Sequence, residues 1–395
     1  MRGTATDERP RVPRRRLSLA MAGALLIFGA VIAAGALAAS TDFSQLPTSP
    51  EATGDGPADV VAADLDADTD RDLAVVNANG DTVTILKNDG SGNFSEPATS
   101  PEPVGDGPEA IAAGDLDADG DVDLVVANAG SDNVTILRNG GGGNFGEPGF
   151  SPKPVGDFPF SLALAKLDAD SDLDLAVANE FDDNVTVLKN RGTGDFSSPA
   201  SSPEATGGFP VAIAAVDLDG DGDNDLATAN SSAGTVTVLK NSGTANFFEP
   251  SSSPETAASP RSIAVVNVDG DADLDLAVAA QSLPGVTILK NKGNGNLFQP
   301  TSSPELIGGG GPIDVAAADF DADGDRDLAV ADSGSSDVTV LRNSGAGNFK
   351  EPPTSPEPAD VGPNAVIAAA LDADADPDLA VAAFGADRLN ILGNN

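Results

Sequence analysis

The chain has 395 residues, of which 62 are Asp or Glu and only 21 are Lys or Arg, giving a formal net charge of −41, and it contains no His, Cys, Trp or Tyr. This excludes His-dependent triads, thiolate nucleophiles, disulfides and zinc or haem centres, and so acidic a chain repels phosphate backbones, which excludes nucleic acid as a partner. Hydrophobic residues still make up 40% of the chain, enough for a core, so the acid must be concentrated locally rather than spread through a disordered polymer.

The first 39 residues stand apart. Arg9, Arg11, Arg14, Arg15 and Arg16 precede an uncharged apolar run from Leu17 to Ala39. This is the flank order of an export signal, and Ala36-Leu37-Ala38 has the small-x-small form of a signal-peptidase site. The run of 23 residues is also long enough to span a bilayer. Two readings therefore stay open for residues 1–39, a cleaved signal peptide or an N-terminal membrane anchor. Either places residues 40–395 outside the cytoplasm, secreted or at the cell surface, and the membrane is touched only through that segment if it is retained.

The remainder repeats. Acidic segments begin at residues 64, 115, 166, 217, 267, 319 and 370, at intervals of 51, 51, 51, 50, 52 and 51. In unit two the order is a small Ala-rich run (Ile111–Gly114), the acidic segment, Leu124–Asn128, Val134–Asn139, a Gly-rich turn, and a fourth stretch after Phe145. Period-two alternation, β-branched residues and Gly/Asn/Pro punctuation predict short strands. Four strands per unit in seven units predict an all-β, seven-bladed propeller, with the Ala-rich strand innermost where blades crowd the axis. The last unit lacks its Phe and Ser-Pro-Glu piece, and Asp42-Phe43 with Ser49-Pro50-Glu51 supply it, so the N-terminal strand is expected to close the ring against Leu389–Leu392.

Thirty-two of the 62 acidic residues fall in the seven nine-residue segments. The form D-x-D-x-D-G-x-x-D puts carboxylates at positions 1, 3, 5 and 9, with Gly at position 6 for a sharp turn, as in the first part of an EF-hand loop. Oxygen donors in a flexible loop favour Ca²⁺ over Mg²⁺. The EF-hand glutamate at position 12 is replaced by a strand residue, Val126 in unit two. The bland alternative is a solvated acidic turn that binds nothing.

These loops, their flanking strands and the ILKNDGSGNF-type turn resemble the FG-GAP/VCBS repeats of integrin α-like propellers, over essentially all of residues 42–395. The resemblance implies several structural calcium ions, each held by a loop between the first and second strands of a blade. The implied ligands are Asp115, Asp117, Asp119 and Asp123; Asp217, Asp219, Asp221 and Asp225; and Asp319, Asp321, Asp323 and Asp327. Unit one supplies Asp64, Asp66, Asp68 and Asp72 but has Thr69 in the Gly slot, and unit five supplies Asn267, Asp269, Asp271 and Asp275. Lys166 and Ala370 occupy position 1 of units three and seven, where calcium is not expected, and the Lys166 ammonium is expected to stand partly in its place.

No catalytic residue or organic cofactor is indicated. The expected role is a non-catalytic binding or adhesion module for an extracellular protein or glycan. The alternatives are a purely structural envelope component and a polysaccharide-active enzyme. Deviations from the repeat should mark a ligand patch. Phe158, Phe160, Phe181 and Phe209 are off-register, and Phe158 and Phe209 fall in the connection where unit two has Gly107. The alternative for these rings is gap-filling between blades III and IV.

Overall fold

A computed structural model describes residues 43–394 apart from Leu283; the leader or anchor assigned to residues 1–39 lies outside the described residues. The described chain forms seven antiparallel sheets, each a meander from the axis to the rim. We number the blades I to VII from the one whose innermost strand is Pro57–Ala63; the inner strands that follow are Pro108–Gly114, Pro159–Ala165, Pro210–Val216, Pro260–Val266, Pro312–Ala318 and Pro363–Ala369. Each packs against its two neighbours, and the last against the first, which makes a closed ring. Proline suits the first position because that residue has no ladder bond to give up. In every blade the register slips by one between the first and third residues, a bulge at the mouth of the ring.

The second strands depart from the expected alternation. Asp72–Asn77, Asp123–Asn128 and their five counterparts are buried at every position, because neighbouring blades cover both faces of each sheet. The fourth strand is also not continuous. In blade II it comprises Phe145–Gly146, paired with Arg138 and Asn139, and Lys153–Pro154, paired with Val134 and Asn133. The ladder gap between these pieces is filled by a serine hydroxyl. The Oγ of Ser49, Ser100, Ser151, Ser202, Ser253, Ser303 and Ser355 accepts the orphaned third-strand N–H at 2.8–3.0 Å in all seven blades. This gives the recurring Ser-Pro its physical reason.

The N-terminal strand does close the ring. Phe43–Gln45 and Glu51–Ala52 pair with Arg388–Asn394, which makes blade VII from both ends of the chain. A second device joins the blades. The Asn at the end of each third strand, or two residues past it in blades III and V (Asn88, Asn139, Asn190, Asn241, Asn291, Asn343, Asn394), donates its Nδ2 to a main-chain carbonyl in the acidic loop of the preceding blade at 2.7–2.9 Å. Asn88 reaches back to Leu371 of blade VII, so the series has no break.

The repeat also exposes a flaw. At the end of the second strand, Asn77, Asn128, Asn179 and Asn230 donate to hydroxyl or amide oxygens on the third. Blade VI has Asp332 there, fully buried opposite Asp337, with Oδ2 accepting from Thr339 and Oδ1 unpartnered. Burial, together with Asp337 and Glu351, pushes its carboxyl up to about 7. The folded state therefore keeps a proton that the unfolded chain loses in mild acid, so stability falls as pH rises toward that value. Asp332→Asn should raise the melting midpoint at about pH 8 by the equivalent of about 1–3 kcal/mol and change it little near pH 4; pH-resolved calorimetry tests both.

Candidate functional site

The seven acidic loops join inner to second strands and therefore share one face. The position-9 aspartate starts the second strand and serves as the anchor in every blade. One of its oxygens accepts the N–H of the position-2 residue at 2.7–3.1 Å. The other accepts the N–H of the third-strand Asn at 2.7–2.9 Å. Burial raises Asp72, Asp123, Asp174, Asp225, Asp275 and Asp378 to about 6 and Asp327 to about 7, and the carboxylates at positions 3 and 5 add to the rise in blade V as in blade I.

What differs between blades is the wrap ahead of that anchor, and position 1 decides it. In blades I and IV, Asp64 and Asp217 accept the N–H groups of positions 4 and 6. In blades II and VI, Asp115 and Asp319 accept that of position 6. In all four blades positions 4 and 6 take left-handed φ, including Thr69 at 83° where the others have Gly at 95–97°. The wrap gathers three carboxylates, with one oxygen each within 4.8 Å: Asp64, Asp66, Asp72; Asp115, Asp117, Asp123; Asp217, Asp219, Asp225; and Asp319, Asp321, Asp327. The position-5 residues Asp68, Asp119, Asp221 and Asp323 instead accept the N–H two residues on. In blade V, Asn267 accepts the N–H of Gly270 and gives its own Nδ2 to the Asp271 carbonyl, and Asp269, Asp271 and Asp275 follow it. Blade VII, set aside from the sequence because of Ala370, gathers Asp372, Asp374 and Asp378. Lys166 in blade III does not substitute for an ion: it is exposed and pairs with no carboxylate among the described residues, whereas Lys189 reaches Asp168.

The loops fit a cation on an observation independent of their sequence. Asp66 Oδ1, Asp115 Oδ1, Asp117 Oδ1, Asp219 Oδ1 and Asp319 Oδ1 are buried without a hydrogen-bond partner, all inside the four wrapped loops, and the Asp117 side chain is only 8% exposed. Buried carboxylate oxygens in that condition are costly unless a cation meets them. The other oxygen of position 3 is occupied. Lys87, Lys189, Lys240 and Lys290 approach Asp66, Asp168, Asp219 and Asp269 at 3.0–3.2 Å, Arg342 approaches Asp321 at 3.5 Å, and Arg138 lies against Asp117. The four lysines also donate to a carbonyl in the Gly-rich turn of the next blade. Sequence reasoning missed these cations, although their register before each third-strand Asn was visible. It also missed the position-7 aspartates, which pack on the Gly-rich turn: Gly90 has a left-handed φ of 75°, and a Cβ there would lie 2.5 Å from Asp70 Oδ2.

The opposite face carries the aromatic residues. Phe158 stacks on Phe181 (centroids 4.6 Å apart) and on Phe160 (6.2 Å), and Phe181 leans on Phe209 (5.8 Å). Phe160 is core, whereas Phe181 and Phe209 are 44% and 41% exposed. Phe158 and Phe209 both have φ of 58°, at the position where Gly56, Gly107, Gly311 and Gly362 are also left-handed. The Asp132 and Asp183 carboxylates fix these conformations by accepting the Phe158 and Phe209 N–H groups at 3.0 and 2.9 Å. Such a backbone costs a bulky residue of the order of 1–3 kcal/mol. Glu180, next to Phe181 in sequence, is pushed by burial up to about 7 against the lowering effect of Arg261, whose own pKa burial lowers.

No curated protein matches the chain. Solved structures show the same fold. BBS1N in complex with ARL6DN shares 15% identity at a TM-score of 0.63, over 90% of this chain and 98% of that one. Periplasmic gluconolactonase PpgL of Pseudomonas aeruginosa shares 17% at 0.58, over 81% and 87%, and virginiamycin B lyase of Staphylococcus aureus shares 14% at 0.56, over 89% and 98%. Likeness at this level is one of fold, shared by partner-binding proteins and enzymes alike. The FG-GAP-like repeat model matches residues 64–126, 115–177, 166–228, 217–278, 267–330 and 319–381. With that match running through six consecutive loop-to-loop units of a seven-bladed ring, the chain belongs to the FG-GAP-like repeat family.

Proposed function

We propose that this protein is an exported, calcium-stabilised propeller that acts as a non-catalytic binding or adhesion module for an extracellular protein or glycan. The observation that carries the reading is the pair Phe158 and Phe209. Two aromatic side chains occupy a left-handed position that four other blades give to Gly, and they build a partly exposed cluster on the face away from the acidic loops. Strain kept at a surface position is a mark of a binding site. The complex of BBS1N with ARL6DN is in keeping with a propeller that recognises protein.

Calcium's part is structural in this reading. Asp64, Asp66 and Asp72, Asp115, Asp117 and Asp123, Asp217, Asp219 and Asp225, and Asp319, Asp321 and Asp327 would hold it. The ion supplies positive charge to carboxylates that otherwise repel one another. The position-3 carboxylate then links the loop to the third-strand Lys or Arg, and through the lysines to the next blade.

Export should leave a chain that begins near Ala39, and mass spectrometry of secreted material reads this directly. Recovery of only the intact chain in membranes would favour the anchor.

EDTA should lower the melting midpoint of the purified protein and Ca²⁺ should restore it, Mg²⁺ doing so less well. Each independent site contributes about 2.7 kcal/mol at 100 times its dissociation constant. With Ca²⁺ present, Asp117→Ala should cost more stability than Asp168→Ala, and in EDTA that difference should vanish. A midpoint indifferent to EDTA would refute the structural-calcium reading.

For the binding face, Phe209→Gly combined with Phe181→Ser should abolish partner capture from extracellular extract or a glycan array. The melting midpoint should stay unchanged or rise, because Gly relieves the left-handed strain. Loss of stability with capture intact would make the rings core.

A further inference from the structure

The seam between blades IV and V holds a cavity of about 270 Å³. Its lining includes Thr256, Ala257 and Ala258, from the end of blade IV and the connection that follows, and Thr287, Gln299 and Pro304 of blade V. No charged side chain is among the described residues that line it. Two truncations of the repeat accompany it. Ala257 stands where the connections into blades II, III and VI carry Val104, Val155 and Ile307, although its N–H makes the same main-chain bond back to the preceding blade. Ala280 ends the second strand where blades I to IV have Asn77, Asn128, Asn179 and Asn230.

The missing Asn leaves two polar groups unmet. In blades I to IV its Nδ2 donates to the hydroxyl of a third-strand threonine, Thr84, Thr135, Thr186 or Thr237, at 2.8–3.0 Å. In blades I and III its Oδ1 also accepts the N–H of Gly54 or Gly156, in the incoming connection, at 3.0 and 3.1 Å. Blade VI keeps its threonine engaged through Asp332, and blade VII replaces it by Asn390, whose Oδ1 accepts from Gln45. In blade V the corresponding groups are the Thr287 hydroxyl and the Ala258 N–H, and neither has a hydrogen-bond partner among the described residues. Thr287 is only 3% exposed, and both residues line the cavity. The two exchanges go together, because a Cβ on Gly54, Gly105, Gly156 or Gly207 would come within 2.6–2.8 Å of the Asn, and Ala258 carries that Cβ. A buried acceptor and a donor that elsewhere hold the two ends of one carboxamide therefore face open volume.

We propose that the cavity receives the uncharged carboxamide of an asparagine or glutamine side chain presented by a second protein. The amide N–H groups donate to Thr287 Oγ1, the amide carbonyl accepts from the Ala258 N–H, and the methylene stem lies against Ala257 and Pro304. Thr256 and Gln299 add a hydroxyl and an amide to the lining. A carboxylate of the same shape has no N–H to give, meets no cation in the lining, and approaches a chain of net charge −41. The volume is at the small end for ligand pockets, which suits one side chain better than a whole metabolite. None of Phe158, Phe181 and Phe209 lines the cavity, so the inference does not rest on the docking face proposed above.

NMR titration of the purified protein, labelled at its Ala and Thr methyl groups, tests it with propionamide, propionate and the blocked peptides acetyl-Gly-Gln-Gly-amide and acetyl-Gly-Glu-Gly-amide. Saturable shifts of the Thr287, Ala257 and Ala258 methyl signals are expected with propionamide and the Gln peptide, with propionate and the Glu peptide weaker. Thr287→Val should weaken the Gln peptide about tenfold, the scale of one lost hydrogen bond, and leave the melting midpoint unchanged, because that hydroxyl has no partner to lose. Should the midpoint fall, Thr287→Ser, which keeps the hydroxyl, should retain binding. Ala257→Ile, the residue type at the matching Ile307, should fill the cavity and abolish binding while the midpoint holds or rises. Absence of saturable shifts, equal binding of the Gln and Glu peptides, or indifference to both Thr287→Val and Ala257→Ile would overturn the proposal. N-acetyl-D-glucosamine supplies a carboxamide from the other source; if it binds more tightly than the Gln peptide and is lost in Ala257→Ile, the side-chain assignment falls to a glycan. If every probe fails while partner capture still depends on Phe181 and Phe209, this site falls and the docking face stands.

Discussion

One amide on each blade governs how the ring is held. The Asn at the end of the third strand receives the position-9 aspartate through its main-chain N–H and gives its side-chain N–H to a loop carbonyl of the blade before it. The same aspartate also accepts an N–H from its own loop. A single buried carboxylate therefore ties the acidic loop to the third strand, and the Asn carries that tie across the seam. Because the pattern recurs in all seven blades, the loops cannot change shape without disturbing the packing between blades. Any ion seated in a loop acts on the seam as well as on its own turn.

The acid is tolerated because it is organised in layers. The position-9 groups are held by backbone N–H groups, which offset part of the desolvation. Position 3 is shared with a strand-three Lys or Arg in blades I to VI. Within the loops, only after both arrangements do unmet oxygens remain, and they fall in the blades whose position-1 aspartate wraps the turn. Blade VII has Gly393 where the others have the basic residue, so its Asp372 lacks that counter-charge.

Much of this was legible in the sequence because the repeat is long and regular. Blade number, strand order and the use of Phe43 to complete the last blade follow from spacing alone. Three things were not legible. The alternation expected for the second strands fails because burial on both faces is a property of the ring, not of the strand. The split outer strand depends on a serine hydroxyl replacing a ladder bond, which no propensity encodes. Arg261 was overlooked because it lies inside a strand, although it is the only basic residue at that position in any blade. The aromatic residues were visible as departures from the repeat, and Gly107 pointed to their backbone conformation, but their stacking across two blades required coordinates.

Blade VII has a topological consequence. Phe43 sits on the outermost strand, paired with Asn394, and Leu46 packs close to Gly393. Residues 43–52 are thus needed to finish the blade formed by residues 363–394, and the circle cannot be sealed until blade VII has been made. The entry point of the chain also lies at the perimeter rather than on the axis. An attachment made at residue 43 would therefore meet the disc at its edge and leave the loop-bearing and ring-bearing surfaces both open.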